Sequence, residues 1–175
     1  MARDTLRIIE PSDVPALRRD PVDEETLQQA SEIVGDVRDG GEDAVLEHGI
    51  RLGDIEEGEP MVLSDAVLQD ALESISDEQR EVLERAKAQI AAFAQAQRDS
   101  VSELDVPIPG GRAGHDVAPV ERAGCYAPGG RFPLPSSVLM TAVTARVAGV
   151  DEVWVASPRP APVTLAAAAI AGVDG

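Results

Sequence analysis

Residues 124–140 read Gly124-Cys125-Tyr126-Ala127-Pro128-Gly129-Gly130-Arg131-Phe132-Pro133-Leu134-Pro135-Ser136-Ser137-Val138-Leu139-Met140, an order that predicts a strand, a glycine turn and a helix start. The strand covers residues 123–127, the turn 128–135 and the helix 137–148. Gly149 then stops the helix, because a residue without Cβ enters left-handed backbone at little cost. A second strand (152–157), a proline-rich turn, a second helix (163–171) and Gly172 repeat the order. Alternating strands and helices imply a parallel sheet with crossover connections. Val153-Trp154-Val155 is a continuous apolar run, expected of a strand covered on both faces. The helix 137–148 has only Thr141, Thr144 and Arg146 as polar relief, so it is expected to be largely buried. After Ala171-Gly172-Val173-Asp174-Gly175 the pattern calls for another strand. Residues 119–175 therefore read as the incomplete start of a parallel βαβα unit, and the whole as the opening part of a longer protein.

Upstream the periodicity is helical. Leu27, Ala30, Val34 and Val37 predict a helix over 23–39 that stops at Gly40-Gly41, with a short second helix over 42–52. Ser64 stands before Asp65-Ala66-Val67-Leu68 as an N-cap, and Leu68, Ala71, Leu72 and Ile75 form the inner stripe of a helix closing near Ser74. Ser76-Asp77-Glu78-Gln79 matches a capping box, and Val82, Leu83, Ala86, Ile90, Phe93 and Ala94 predict a long amphipathic helix over 77–97. Residues 99–118, with Pro107, Pro109, Gly110, Gly111 and Gly114, read as a loop or a pair of short extended pieces. The fold class is thus α/β, with an acidic, mainly helical part over 1–118 followed by the α/β unit over 119–175.

The charge divides at the same point. The chain of 175 residues has 32 acidic and 15 basic residues, a net charge of -17. Residues 119–175 hold four of each sign, so the whole acidic excess lies before them. Such a surface repels nucleic acid and anionic membrane, which argues against both as partners. Lys87 is the single lysine. Many carboxylates with almost no lysine fit adaptation to concentrated salt, which screens self-repulsion; the plainer origin is a GC-rich genome that favours Arg over Lys. The start Met-Ala-Arg-Asp-Thr-Leu-Arg has no apolar signal core, Cys125 is the only cysteine, and no apolar stretch is long enough to span a bilayer. The reading is a cytoplasmic protein.

Few residues offer chemistry. His48, His115 and Cys125 are the only nitrogen or sulfur donors for a metal, and none stands at a ligand spacing from another. Cys125 reads as a packed thiol. Ser136 and Ser137 lack a nucleophile-elbow frame and read as helix caps, in a position where a hydroxyl also meets a phosphate. Gly129-Gly130 alone is a tight turn, neither a Walker sequence nor a Gly-x-Gly-x-x-Gly. With Tyr126 before it and a helix after it, the turn sits at the carboxyl end of a parallel strand, where α/β ligands bind.

The string Tyr126, Pro128-Gly129-Gly130, Pro133-Leu134, Ser136 and Val138-Leu139-Met140 resembles the histidinol dehydrogenase family. The likeness continues through Ala148-Gly149-Val150, Ser157-Pro158 and Ala171-Gly172-Val173-Asp174, and more weakly upstream at Gly40-Gly41-Glu42-Asp43-Ala44. The resemblance implies a zinc-dependent, homodimeric enzyme of incomplete Rossmann-like domains. Such an enzyme oxidises L-histidinol to L-histidine through the aldehyde in two NAD-linked steps, the last of histidine biosynthesis. It implies a cofactor-binding role for Tyr126, with Gly129 and Gly130 forming the turn beside it. The family's acid/base pair and zinc ligands match no segment of this chain, so no residue here inherits a catalytic or metal role. The alternative is a non-catalytic nucleotide-binding or dimerisation module.

Overall fold

A computed structural model describes Glu10, residues 22–129 and residues 132–175. The chain divides into two compact units, Met1–His48 and Gly49–Gly175.

In the first unit, Asp23 opens helix α1 (Glu24–Arg51) by accepting the backbone N–H of Thr26 at 2.8 Å and its hydroxyl at 3.0 Å. These bonds favour the ionised carboxyl and lower the pKa of Asp23. The stop expected at Gly40-Gly41 is present: Gly41 leaves helical geometry (φ 59, ψ -137) and divides α1 into two helices joined at a kink. Glycine takes this backbone at little cost, and the chain turns back on itself there. Asp36 before the kink and His48 after it approach to 3.1 Å. No residue of α1 is buried, and Leu27 and Val34 of the expected stripe are exposed.

The second unit begins its regular structure with α2 (Asp65–Ser74) and α3 (Asp77–Asp99). Ser64 is the extended N-cap residue of α2, yet its side chain caps nothing. The capping box of α3 is complete: Gln79 donates its backbone N–H to Ser76 Oγ at 3.2 Å, and Ser76 donates its own to Gln79 Oε1 at 3.1 Å. Leu83 and Ala94 are buried, with Ala86 and Ile90 packed beside them. Val82 and Phe93 depart from the expected stripe and are exposed, Phe93 by 69%. At about 100° per residue both project roughly a quarter turn from the line through Leu83, Ile90 and Ala94.

The pair of extended pieces is an antiparallel hairpin, β1 (Leu104–Ile108) with β2 (Gly111–His115), turning at Pro109-Gly110 where Gly110 has φ 90. Both strands are exposed throughout.

The parallel pair follows: β3 (Arg122–Tyr126) runs beside β4 (Glu152–Ala156), registered from Arg122 opposite Glu152 to Tyr126 opposite Ala156. Between them a continuous helical run comprises α4 (Pro135–Val138), a π-helical turn (Leu139–Val143) and α5 (Thr144–Ala148). Helix α6 (Pro162–Ala171) comes after β4. Gly149 (φ 93) and Gly172 (φ 75) close α5 and α6 in left-handed backbone, where the sequence placed them. Val138, Leu139, Val143 and Val153 are fully buried, and Leu68 of α2 and Leu83 of α3 belong to the same cluster. The change of composition at 118/119 thus falls inside this compact unit, whose core draws residues from both sides of it.

Two burial expectations are corrected. Val153 has no exposure, but Trp154 is 40% exposed, so among the described residues β4 is covered on one face. Alternate side chains of a strand leave opposite faces, and Val153 and Val155 are on the face that joins the core cluster. The helical run is likewise half-buried: Val138, Leu139, Ala142 and Val143 turn inward, while Met140, Thr141 and Thr144 are exposed. The two threonine hydroxyls return to the carbonyls four residues back, Ser137 O and Met140 O, at 2.8 and 2.7 Å.

The strand expected after Gly172 begins along β4. Asp174 donates its N–H to Val153 O at 2.8 Å, and Val155 donates to Gly175 O at 2.9 Å. Arg146 clasps this edge, donating to Gly172 O at 2.8 Å, to the carbonyls of Val150 and Asp151, and to Asp174 Oδ2 at 2.7 Å.

Candidate functional site

Parallel strands present their carboxyl ends together, so the loops after β3 and β4 share one edge of the sheet. Ala127 extends that edge by donating its N–H to Ala156 O at 2.9 Å. Both following helices start at a proline, Pro135 and Pro162. Neither preceding residue, Leu134 or Ala161, supplies a side-chain cap. Ser136 and Ser137, expected as caps, lie inside the first turn instead. Pro135 has preset helical φ and no N–H to satisfy, so the helix starts before the serines.

Tyr126 ends β3 with 63% of its surface exposed. Its neighbour Cys125 is buried, as alternation along the strand requires. Past Tyr126 the two loops enclose a cleft of about 470 Å³ lined by Pro128, Gly129 and Phe132 on one side and Ser157, Pro158 and Arg159 on the other. Asp54 and Thr164 also line it, and Tyr126 does not. Gly129 is sterically required where it stands, since a Cβ there would lie 2.7 Å from Pro158 Cγ and 3.2 Å from Pro158 O. Its missing side chain lets the loops close against each other. Gly130 lies outside the described residues.

Three polar residues at the cleft were not foreseen. Arg159 is the non-glycine residue with positive φ (43°) among the described residues, and its Nε stands 3.8 Å from Asp54 Oδ1. Thr164 is buried in the first turn of α6. The prolines around Arg159, Ser157-Pro158-Arg159-Pro160, mark a constrained turn that a reading of strand ends can find. Asp54 reaches the site by tertiary packing alone.

The remaining candidates lie elsewhere. His115 Nε2 pairs with Ser102 O at 3.1 Å beside the hairpin, and His48 pairs with Asp36. No group of three His, Cys, Asp or Glu among the described residues is arranged to hold a metal ion, so the donor set on hand does not fit zinc. Asp174 is held ionised more readily than usual, first by the N–H of Val153 and then by Arg146. Among the described residues no helix is long and apolar enough to cross a membrane.

The family model described as histidinol dehydrogenase matches residues 17–175. A histidinol dehydrogenase of Aromatoleum aromaticum is 43% identical over 150 residues, which are 82% of this chain and 34% of that one. One of Methanosarcina barkeri is 40% identical over 156 residues, 86% of this chain and 36% of that one. The crystal structure of histidinol dehydrogenase from Elizabethkingia anophelis superposes with a TM-score of 0.74 at 22% identity, covering 87% of this chain and 36% of its own. The chain therefore spans about a third of the length of these relatives, and the α/β fold is shared.

Proposed function

Because this chain belongs to the histidinol dehydrogenase family, we propose that it forms the N-terminal part of an NAD-dependent enzyme that oxidises L-histidinol to L-histidine through the aldehyde. Residues 119–175 supply the first part of its NAD-binding domain. The observation that carries the reading is the cleft at the carboxyl ends of β3 and β4 with an exposed tyrosine at its approach, the place where α/β sheets take dinucleotides. Tyr126 offers its ring to pack on the cofactor and its hydroxyl as a donor. Gly129 and Gly130 are the further cofactor-binding residues of this reading, Gly129 supported by its close approach to Pro158. Bound NAD accepts the hydride. Proton transfer and zinc binding fall to residues beyond this stretch, in keeping with relatives about three times as long, so the 175 residues alone turn over no substrate. The full enzyme is a cytoplasmic homodimer, and the acidic excess of the chain suits work in concentrated salt.

Calorimetric titration of the purified chain with NAD tests the site. Loss of the ring in Tyr126→Ala should weaken binding by up to roughly tenfold, the worth of one aromatic contact, and Tyr126→Phe should lose less. Equal affinity in all three proteins removes Tyr126 from the site.

A further inference from the structure

A dinucleotide is an anion, and a chain of net charge -17 repels it. Binding therefore calls for a local cation. Among the described residues that line the cleft, Arg159 is the cation. Its ion pair with Asp54 is long, at 3.8 Å, and its side chain is 74% exposed, so the pair is weak and the guanidinium is available. Its backbone sits at φ 43, in the left-handed region that disfavours a residue with a Cβ. Strain of that kind concentrates where a side chain must be aimed.

A second observation comes from the first turn of α6. Thr164 is 6% exposed and is the one buried polar residue among those described. Its hydroxyl takes no partner among the described residues, yet it is not sealed away from the cleft it lines. A hydroxyl that is open to the cleft and takes no protein partner is free to bond a ligand oxygen there.

We propose that Arg159 and Thr164 form an anion-binding corner of the cleft that holds a phosphate of the dinucleotide, Arg159 through its guanidinium and Thr164 through its hydroxyl. The assignment rests on the NAD reading above and adds to it the residues that neutralise the cofactor's charge.

The test titrates the purified chain with NAD and, separately, with inorganic pyrophosphate. Arg159→Gly removes the charge and relieves the left-handed backbone, so it should melt no lower than the parent. Thr164→Val keeps the shape and removes the hydroxyl. Arg159→Gly should bind NAD roughly tenfold more weakly, the worth of a charge-assisted hydrogen bond in a partly exposed setting, and Thr164→Val a few-fold more weakly. Raising the salt should shrink the gap between parent and Arg159→Gly, because screening weakens the parent's ion pair. Unchanged NAD affinity in Arg159→Gly overturns the corner while leaving the NAD reading standing. A parent that binds no NAD overturns the NAD reading, and the pyrophosphate arm then decides the corner: binding by the parent and not by Arg159→Gly upholds it, and equal behaviour of the two overturns it.

Discussion

The tetrapeptide Ala-Gly-Val-Asp occurs twice, at 148–151 and 171–174, each time between a helix and extended chain. The glycines behave alike, closing α5 and α6 at φ 93 and φ 75. The valines behave alike too, Val150 and Val173 both being buried. The aspartates do not. Asp174 accepts from Arg146 and from the N–H of Val153 through one carboxylate oxygen, whereas Asp151 is exposed and contributes its carbonyl. A helix stop is a local matter of one residue without Cβ, while the fate of the next carboxylate depends on what the fold sets opposite it. Arg146 is the asymmetric element: it lies on α5, reaches the carbonyls of the first copy and the side chain of the second, and so treats identical sequences differently.

Removing Arg146 should erase the difference at the greatest cost. Arg146→Ala loses four hydrogen bonds and the partner of a charged group, and should lower unfolding stability by about 3 kcal/mol in a denaturant titration. The glycines sharpen the likeness instead. An alanine Cβ would meet no atom within 4 Å at Gly172 and only ordinary contacts from 3.5 Å at Gly149. Gly149→Ala and Gly172→Ala should therefore each cost about 1 kcal/mol, the backbone penalty alone, and unequal losses would show that packing distinguishes the two turns.

The smallest effect belongs to the aspartates. Asp174→Asn should cost under about 1 kcal/mol, since its carboxylate is 41% exposed and screened by water, and Asp151→Asn should change nothing measurable. The pKa of Asp174 is depressed in the folded chain. Its contribution is therefore present above the ordinary aspartate range and lost as pH falls through the lower folded value. In acid titrations followed by circular dichroism, Asp174→Asn should differ from the parent at neutral pH and converge with it at low pH. A gap that persists in acid means that shape, not charge, holds that turn.

Much of the fold was readable because its signals are short-range. The capping box at Ser76 and Gln79 satisfies its own N–H groups within four residues, and the order strand, turn, helix around Tyr126 follows from glycine and proline positions a few residues apart. Periodicity marked apolar residues without saying how wide a helix face the neighbours cover, which is why Val82 and Phe93 were placed inward. The same gap misjudged Trp154, since an apolar run reads alike whether one or both faces of the strand are covered. At the candidate site, Pro128 and Gly129, which both line the cleft, were legible as the turn after a strand end. Asp54 was not, because it is more than a hundred residues from Arg159 along the chain and meets it only through packing.

From its amino acids alone this protein dictated the elements, their stops and the sheet edge that the loops after β3 and β4 share, all consequences of steric rules acting over one or two turns. Folding in three dimensions chose which carboxylate Arg146 holds, which apolar faces are covered and which residues wall the cleft beside Gly129. Those outcomes depend on contacts between residues far apart in the chain, and such contacts leave no trace in local spacing.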